Sequence, residues 1–138
     1  MKIRILSLIL SVVMCISLCA CGNNDESSLW ENALYTENAE IGSGEKTLTV
    51  DVIAEEKTVT ITVNTDKDTL GEALIDCGLI AGDEGAYGLY VKFVNGIEAD
   101  YDKTQTYWGI TKNGESVMTG VDLEKIQNGD KYEFTYTK

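Results

Sequence analysis

The chain has 138 residues, room for one domain, with 11 basic and 23 acidic residues and a formal net charge of −12. Such a balance repels phosphate backbones, so a nucleic-acid partner is not expected. There is no His, the commonest general base and metal ligand, and there is no Pro.

Lys2 and Arg4 form a short positive start, and Ile5 to Leu18 is apolar apart from Ser7, Ser11 and Ser17. Leu18-Cys19-Ala20-Cys21 follows. A basic start, an apolar run of roughly 14 residues and small residues at the cut make a secretory signal. The run is short for a membrane-spanning helix. The Leu-x-Ala-Cys motif resembles the lipobox of bacterial lipoproteins. That resemblance implies a signal peptide over residues 1–20, cleavage before Cys21, and a diacylglyceryl group on the Cys21 thiol. The expected location is the extracellular face of the cell membrane, held by that lipid. Cys15 and Cys19 would leave with the signal, so Cys77 stands alone and no internal disulfide can form. From Cys21 onward the chain carries 9 basic and 23 acidic residues, a net −14.

Residues 21–45 read as a lipidated flexible stalk. Gly22 to Ser28 is polar and turn-prone, and residues 29–45 are acidic and small, with an isolated Trp30 and Tyr35. Leu29 to Leu34 could form a short helix. As a random coil the stalk spans roughly 27 Å.

The domain is expected over residues 46–138. Thr47 to Ile53 and Thr58 to Val63 alternate polar and apolar residues and are rich in β-branched types, the pattern of two strands. Ala54-Glu55-Glu56-Lys57 joins them as an antiparallel hairpin. Thr69-Leu70-Gly71-Glu72 matches the capping box at the start of a helix. Leu70, Ala73, Leu74 and Cys77 then share one helical face, and Gly78 stands at the left-handed C-terminal cap. Cys77 is read as a core residue rather than a reactive thiol. Leu89 to Val94 runs into Asn95-Gly96, a favoured hairpin turn, with a short return over Ile97 to Ala99. Thr106 to Thr111 leads to a second such turn, Asn113-Gly114, with a return over Glu115 to Met118. Gly120 to Gly129 reads as a loop. Tyr132 to Tyr136 closes the chain as a strand with Tyr132, Phe134 and Tyr136 on one face. One amphipathic helix must bury its stripe against a sheet, and few crossovers are available. The expected class is therefore α+β, a β-grasp-like mixed sheet with one packed helix.

Catalysis finds little support. No nucleophile–base constellation is present, and neighbouring carboxylates such as Asp100 with Asp102, or Asp83 with Glu84, are common in so acidic a chain. The chain is read as no enzyme. Asn64 to Asp68 places oxygen ligands at alternate positions, as a calcium loop begins, but Thr69 and Ile75 stand where Gly and Glu are required. No metal and no cofactor are assigned. Aromatics say more. Tyr87, Tyr90, Tyr101, Tyr107 and Trp108 crowd the middle of the domain. Tyr107 and Trp108 are strand neighbours and must point to opposite faces, so one of them is exposed or lies under a loop. Exposed aromatics often mark binding surfaces.

Taken in order, Glu84 to Val91, Val94-Asn95-Gly96, Tyr107-Trp108, Asn113-Gly114-Glu115, Met118 to Asp122 and Asn128-Gly129-Asp130 resemble a bacterial domain family. It is the family similar to the C-terminal domain of transcobalamin and intrinsic factor. The resemblance covers 46–138 and implies a β-grasp-like domain of the kind found on Gram-positive surface proteins. It also implies ligand-binding roles for Tyr107, Trp108, Gly120 and Val121, since the vitamin carriers use such positions against one face of cobalamin. This chain lacks the helical domain that covers the other face there. The function expected is a membrane-anchored extracellular lipoprotein with a non-enzymatic small-ligand-binding domain, its ligand cobalamin or another corrinoid. The alternative is a protein–protein adhesion or assembly module with an envelope protein as partner.

Overall fold

The structure is a computed structural model and describes residues 28–138. The signal peptide expected over residues 1–20 and the expected lipidation site Cys21 lie outside the described residues. Two long strands open the domain proper, β2 (Lys46–Ala54) and β3 (Lys57–Thr65). Their alternation buries Leu48, Val50 and Val52 of one strand beside Val59, Ile61 and Val63 of the other. A full burial of this kind contributes about 1.5–3 kcal/mol per side chain. The connection is tighter than the sequence pattern implies. Only Glu55 and Glu56 turn the chain, and both hold positive φ, at 51° and 62°. Such turns suit the twist of a hairpin but strain a residue with a Cβ. Glu56→Gly is therefore expected to raise stability by about 1 kcal/mol, read as a higher denaturant midpoint at constant m value.

Helix α1 (Leu70–Asp76) starts where the capping residue stands, with Thr69 Oγ1 accepting from Glu72 N–H at 3.3 Å. It ends in a Schellman motif. Gly78 at φ 76° lets its own N–H reach Ile75 O at 3.0 Å and Leu79 N–H reach Leu74 O at 2.8 Å. Leu70, Ala73 and Leu74 face inward against the sheet together with Tyr132 and Phe134.

Strands β4 (Ile80–Gly85), β5 (Gly88–Val94) and β6 (Ile97–Glu98) form a three-stranded antiparallel sheet. β4 has no alternating pattern because its pairing breaks at a bulge between Ala81 and Gly82. A Cβ on Gly82 would lie 1.9 Å from Tyr90 O, so glycine is required there. After the single turn α2 (Tyr101–Thr104) come β7 (Tyr107–Lys112), β8 (Glu115–Ser116) and β9 (Lys131–Thr137). β8 is shorter than its expected reach to Met118. Both Asn-Gly turns form with positive φ at each residue.

The larger sheet has the order β1-β3-β2-β9-β7-β8, with β1 the short edge strand Ala39–Gly42. β2 and β9 lie parallel at its centre, and each has an antiparallel neighbour on its other side, β3 and β7. A hairpin, a helix and a returning central strand parallel to the first make the β-grasp arrangement of an α+β domain.

One boundary needs correction. Residues 28–45, expected to belong to a flexible stalk, are part of the fold. A 3-10 turn over Leu29–Asn32 buries Trp30, whose Nε1 donates to Ala54 O at 3.0 Å. Strand β1 (Ala39–Gly42) adds to the sheet parallel to β3. Between them, the backbone of Leu34 and Tyr35 clamps the Asn95-Gly96 turn. Leu34 N–H donates to Asn95 O at 2.9 Å, and the buried Asn95 amide exchanges two bonds of 2.8 Å with Tyr35. An unpaired buried amide would cost about 1–3 kcal/mol, so the turn and the preceding segment stabilise each other.

Candidate functional site

Strands β5 and β7 belong to different sheets and approach each other without pairing. Trp108 spans the junction and donates from Nε1 to Lys92 O at 3.1 Å. Its ring meets Tyr136 edge-on, with centroids 5.7 Å apart, which fixes the indole. Beside it lies a groove of about 400 Å³. β5 contributes Leu89, Tyr90 and Val91, β7 contributes Tyr107, Trp108 and Ile110, and α2 contributes Tyr101. The remaining wall is Thr119, Gly120 and Val121.

All four residues singled out in the sequence, Tyr107, Trp108, Gly120 and Val121, thus line one groove. Their exposures differ in the way strand alternation requires. Tyr107 is 43% exposed and stands at the mouth, whereas Trp108 is 6% exposed and Val121 is buried. Sequence reasoning did not select Leu89, Tyr90 or Tyr101 as ligand residues. The crowding of tyrosines was the available signal, but it could not say which of them converge. Thr119 and Gly120 also line an adjoining hollow of about 720 Å³ with Tyr87, Met118 and Leu123. Tyr87 is 96% exposed and Met118 90%. Groove and hollow form one continuous surface, rich in exposed apolar side chains for a domain of this size.

The wall is held in place by two acidic residues. Asp122 Oδ2 accepts from Leu89 N–H at 2.9 Å, tying the loop to the start of β5. Its carboxylate fits because Gly71 and Gly88 leave room; a Cβ on either would lie 2.8 Å from an Asp122 oxygen. Gly71 N–H also donates to Val121 O at 2.9 Å. Glu124 accepts from Thr119 Oγ1 at 3.3 Å and from Tyr132 OH at 3.1 Å, and it pairs with Lys112 at 3.2 Å.

A second charged group centres on Lys92, which follows the groove residues along β5. Lys92 bridges Asp83 at 2.6 Å and Asp100 at 3.5 Å. Asp100 also accepts from Asp102 N–H at 3.0 Å, capping α2. Burial works to raise the Asp100 pKa, but the Asp102 N–H and the Lys92 charge outweigh it and hold the carboxyl below its usual range. A depressed carboxylate contributes stability above its unfolded pKa of about 3.9, and that contribution is lost as pH falls through the lower folded value. Asp100→Asn is expected to flatten the loss of stability below about pH 4, measured as denaturant midpoint against pH. Superimposable acid limbs for the two proteins would show that Asp100 carries no such linkage.

Other groups have local tasks. Burial pushes the Cys77 thiol pKa up, and its Sγ lies 3.5 Å from Leu74 O. Asp66 accepts from Glu45 N–H at 2.8 Å, and Asp68 pairs with Lys46 at 3.2 Å. Among the described residues, no three or more of His, Cys, Asp and Glu are grouped so as to hold a metal ion.

Fold and groove together define a small β-grasp module with an aromatic cleft between its two sheets. The chain belongs to the family described as domain of unknown function DUF4430, which matches residues 67–138. No curated protein sequence matches the chain. Among solved structures it is similar to a protein of Ruminococcus gnavus ATCC 29149, described as a candidate metal-binding protein. That likeness has 38% identity, covers 68% of this chain and 98% of the other, and has a TM-score of 0.64. It is also similar in fold to haptocorrin in complex with Cbi, at 20% identity and a TM-score of 0.53. That match covers 67% of this chain and 25% of haptocorrin, so the chain spans about a quarter of that protein. The likeness to haptocorrin agrees in fold with what the sequence motifs imply.

Proposed function

We propose that this is a lipoprotein held on the extracellular face of the membrane through Cys21, and that its domain is a non-enzymatic binder of a small ligand seated in the aromatic groove. The carrying observation is the convergence of Tyr107, Trp108, Gly120 and Val121 on one groove beside Tyr90 and Tyr101. Aromatic faces and a few fixed polar groups suit a large, flat, partly apolar molecule. A corrinoid fits that description, and the fold likeness to haptocorrin with Cbi supports the choice. The groove is open, so the domain covers one face of such a ligand. Modest affinity follows, because affinity grows with the ligand surface buried.

Titration of the purified chain with cobinamide and with cobalamin tests this, read by Trp fluorescence. Saturable quenching is expected, and at least tenfold weaker binding in Gly120→Val. A Cβ at Gly120 meets only Tyr87 O at 3.4 Å, so a side chain can begin there without displacing the backbone. Unchanged fluorescence up to millimolar ligand would remove the corrinoid. Mass spectrometry of the membrane fraction should find a diacylglyceryl group on Cys21. An intact chain that retains Met1 and carries no acyl group would remove the anchor.

A further inference from the structure

Strand β7 leaves part of its backbone unpaired on the groove side. Ile110 O accepts from Val117 N–H at 2.9 Å, so the polar backbone groups of Ile110 face away from β9. Along an antiparallel strand these groups alternate sides with a period of two. Trp108, two residues earlier, therefore also directs its N–H and C=O away from β9, while Tyr107, Gly109 and Thr111 pair with Thr137, Thr135 and Glu133. β8 reaches only Thr111 and Lys112. The Trp108 N–H, the Trp108 C=O and the Ile110 N–H thus have no strand partner among the described residues, although Trp108 is 6% exposed. Buried backbone groups are rarely left unpaired. Edge strands are usually guarded by charges, proline or a bulge. Tyr107-Trp108-Gly109-Ile110 carries no charge and no proline, and its pairing with β9 runs without a register shift.

We propose that this edge receives an extended peptide segment of another protein by strand addition. The main chain of the segment pairs with Trp108 and Ile110, and its side chains rest on the aromatic walls of the groove. A groove of about 400 Å³ accommodates roughly three extended residues, about 10 Å of strand. No residue lining it is basic and the chain is net −12, so the segment is neutral or basic rather than acidic. This goes beyond small-ligand binding and does not depend on it. The two occupants share one groove and exclude each other.

The test pans a random 12-residue phage-displayed peptide library on the full chain, then synthesises the enriched sequences. Ile110→Pro removes one free N–H and no bond to β9, because that N–H faces the groove. Enriched peptides are expected to be poor in Asp and Glu. They should bind at least tenfold more weakly to Ile110→Pro, and as weakly to wild type when N-methylated at alternate residues. Unchanged β9 amide shifts confirm that the variant folds. If it does not fold, the N-methylated peptides decide alone. No enriched sequence, binding to wild type indifferent to N-methylation, or undiminished binding to a folded Ile110→Pro overturns the proposal.

Discussion

Replacement of Trp30 by Ala is expected to lower stability by about 3 kcal/mol, equivalent to a melting temperature lower by roughly 10–15 °C. Trp30 is buried, its Nε1 donates to Ala54 O at 3.0 Å, and Lys57 Nζ lies 4.7 Å from its ring centroid. The substitution therefore removes a packed indole and its bond to the carbonyl at the end of β2, and loosens the turn that Ser28 and Leu29 fasten to Glu55. Its effect should spread to the Asn95-Gly96 turn, since the same segment pairs with Asn95. Amide exchange at Tyr35 and Asn95 should quicken in the variant. A tryptophan on a tether would behave differently, because surface substitutions away from special contacts change stability by at most about 0.5 kcal/mol. A chemical-denaturation series separates these outcomes, and the smaller value would return residues 28–45 to the stalk.

Why this segment was not legible follows from where its partners are. Trp30 meets Ala54, Tyr35 meets Asn95, and Ala39–Gly42 pairs with Ile61 to Asn64. None of these contacts leaves a local period, and a four-residue edge strand has too few residues to show alternation. The central hairpin was legible for the opposite reason. Its Leu, Val and Ile positions are buried on one face along nine residues of each strand. Helix α1 and both Asn-Gly turns were legible because their signals are local, in a cap, a stripe and two positive-φ positions. β4 escaped notice because a bulge breaks its alternation and Gly82 holds the place where Tyr90 O comes close. The groove was legible only in part. The family motifs named Tyr107, Trp108, Gly120 and Val121, whereas Leu89, Tyr90 and Tyr101 join them through the meeting of two sheets, which no spacing encodes.

The same meeting of elements makes Lys112 the most consequential charged residue near the groove. It ends β7, and its ammonium lies 3.2 Å from both Glu124 and Asp130 and 3.3 Å from Lys125 O. Burial works to lower its pKa, but the bonds to Glu124 and Asp130 outweigh that and raise it. A raised lysine contributes its full stability below the unfolded pKa of about 10.4 and loses it only as pH climbs through the higher folded value. Through the neutral range Lys112 is thus a fixed cation between two largely buried carboxylates. Lys112→Met keeps the side-chain volume and removes that cation. Breaking a buried pair costs about 3–5 kcal/mol, and with these side chains 12–29% exposed the expected loss is nearer about 2–3 kcal/mol. Left without the cation, the Glu124 and Asp130 carboxylates repel each other. Lys112→Met/Glu124→Gln should therefore recover part of the deficit at neutral pH. Glu124 also holds Thr119, so the single variant should bind groove ligands more weakly even where it remains folded. Equal stability of wild type and Lys112→Met at pH 7 would show that hydrophobic packing, rather than this ion cluster, fixes the loop.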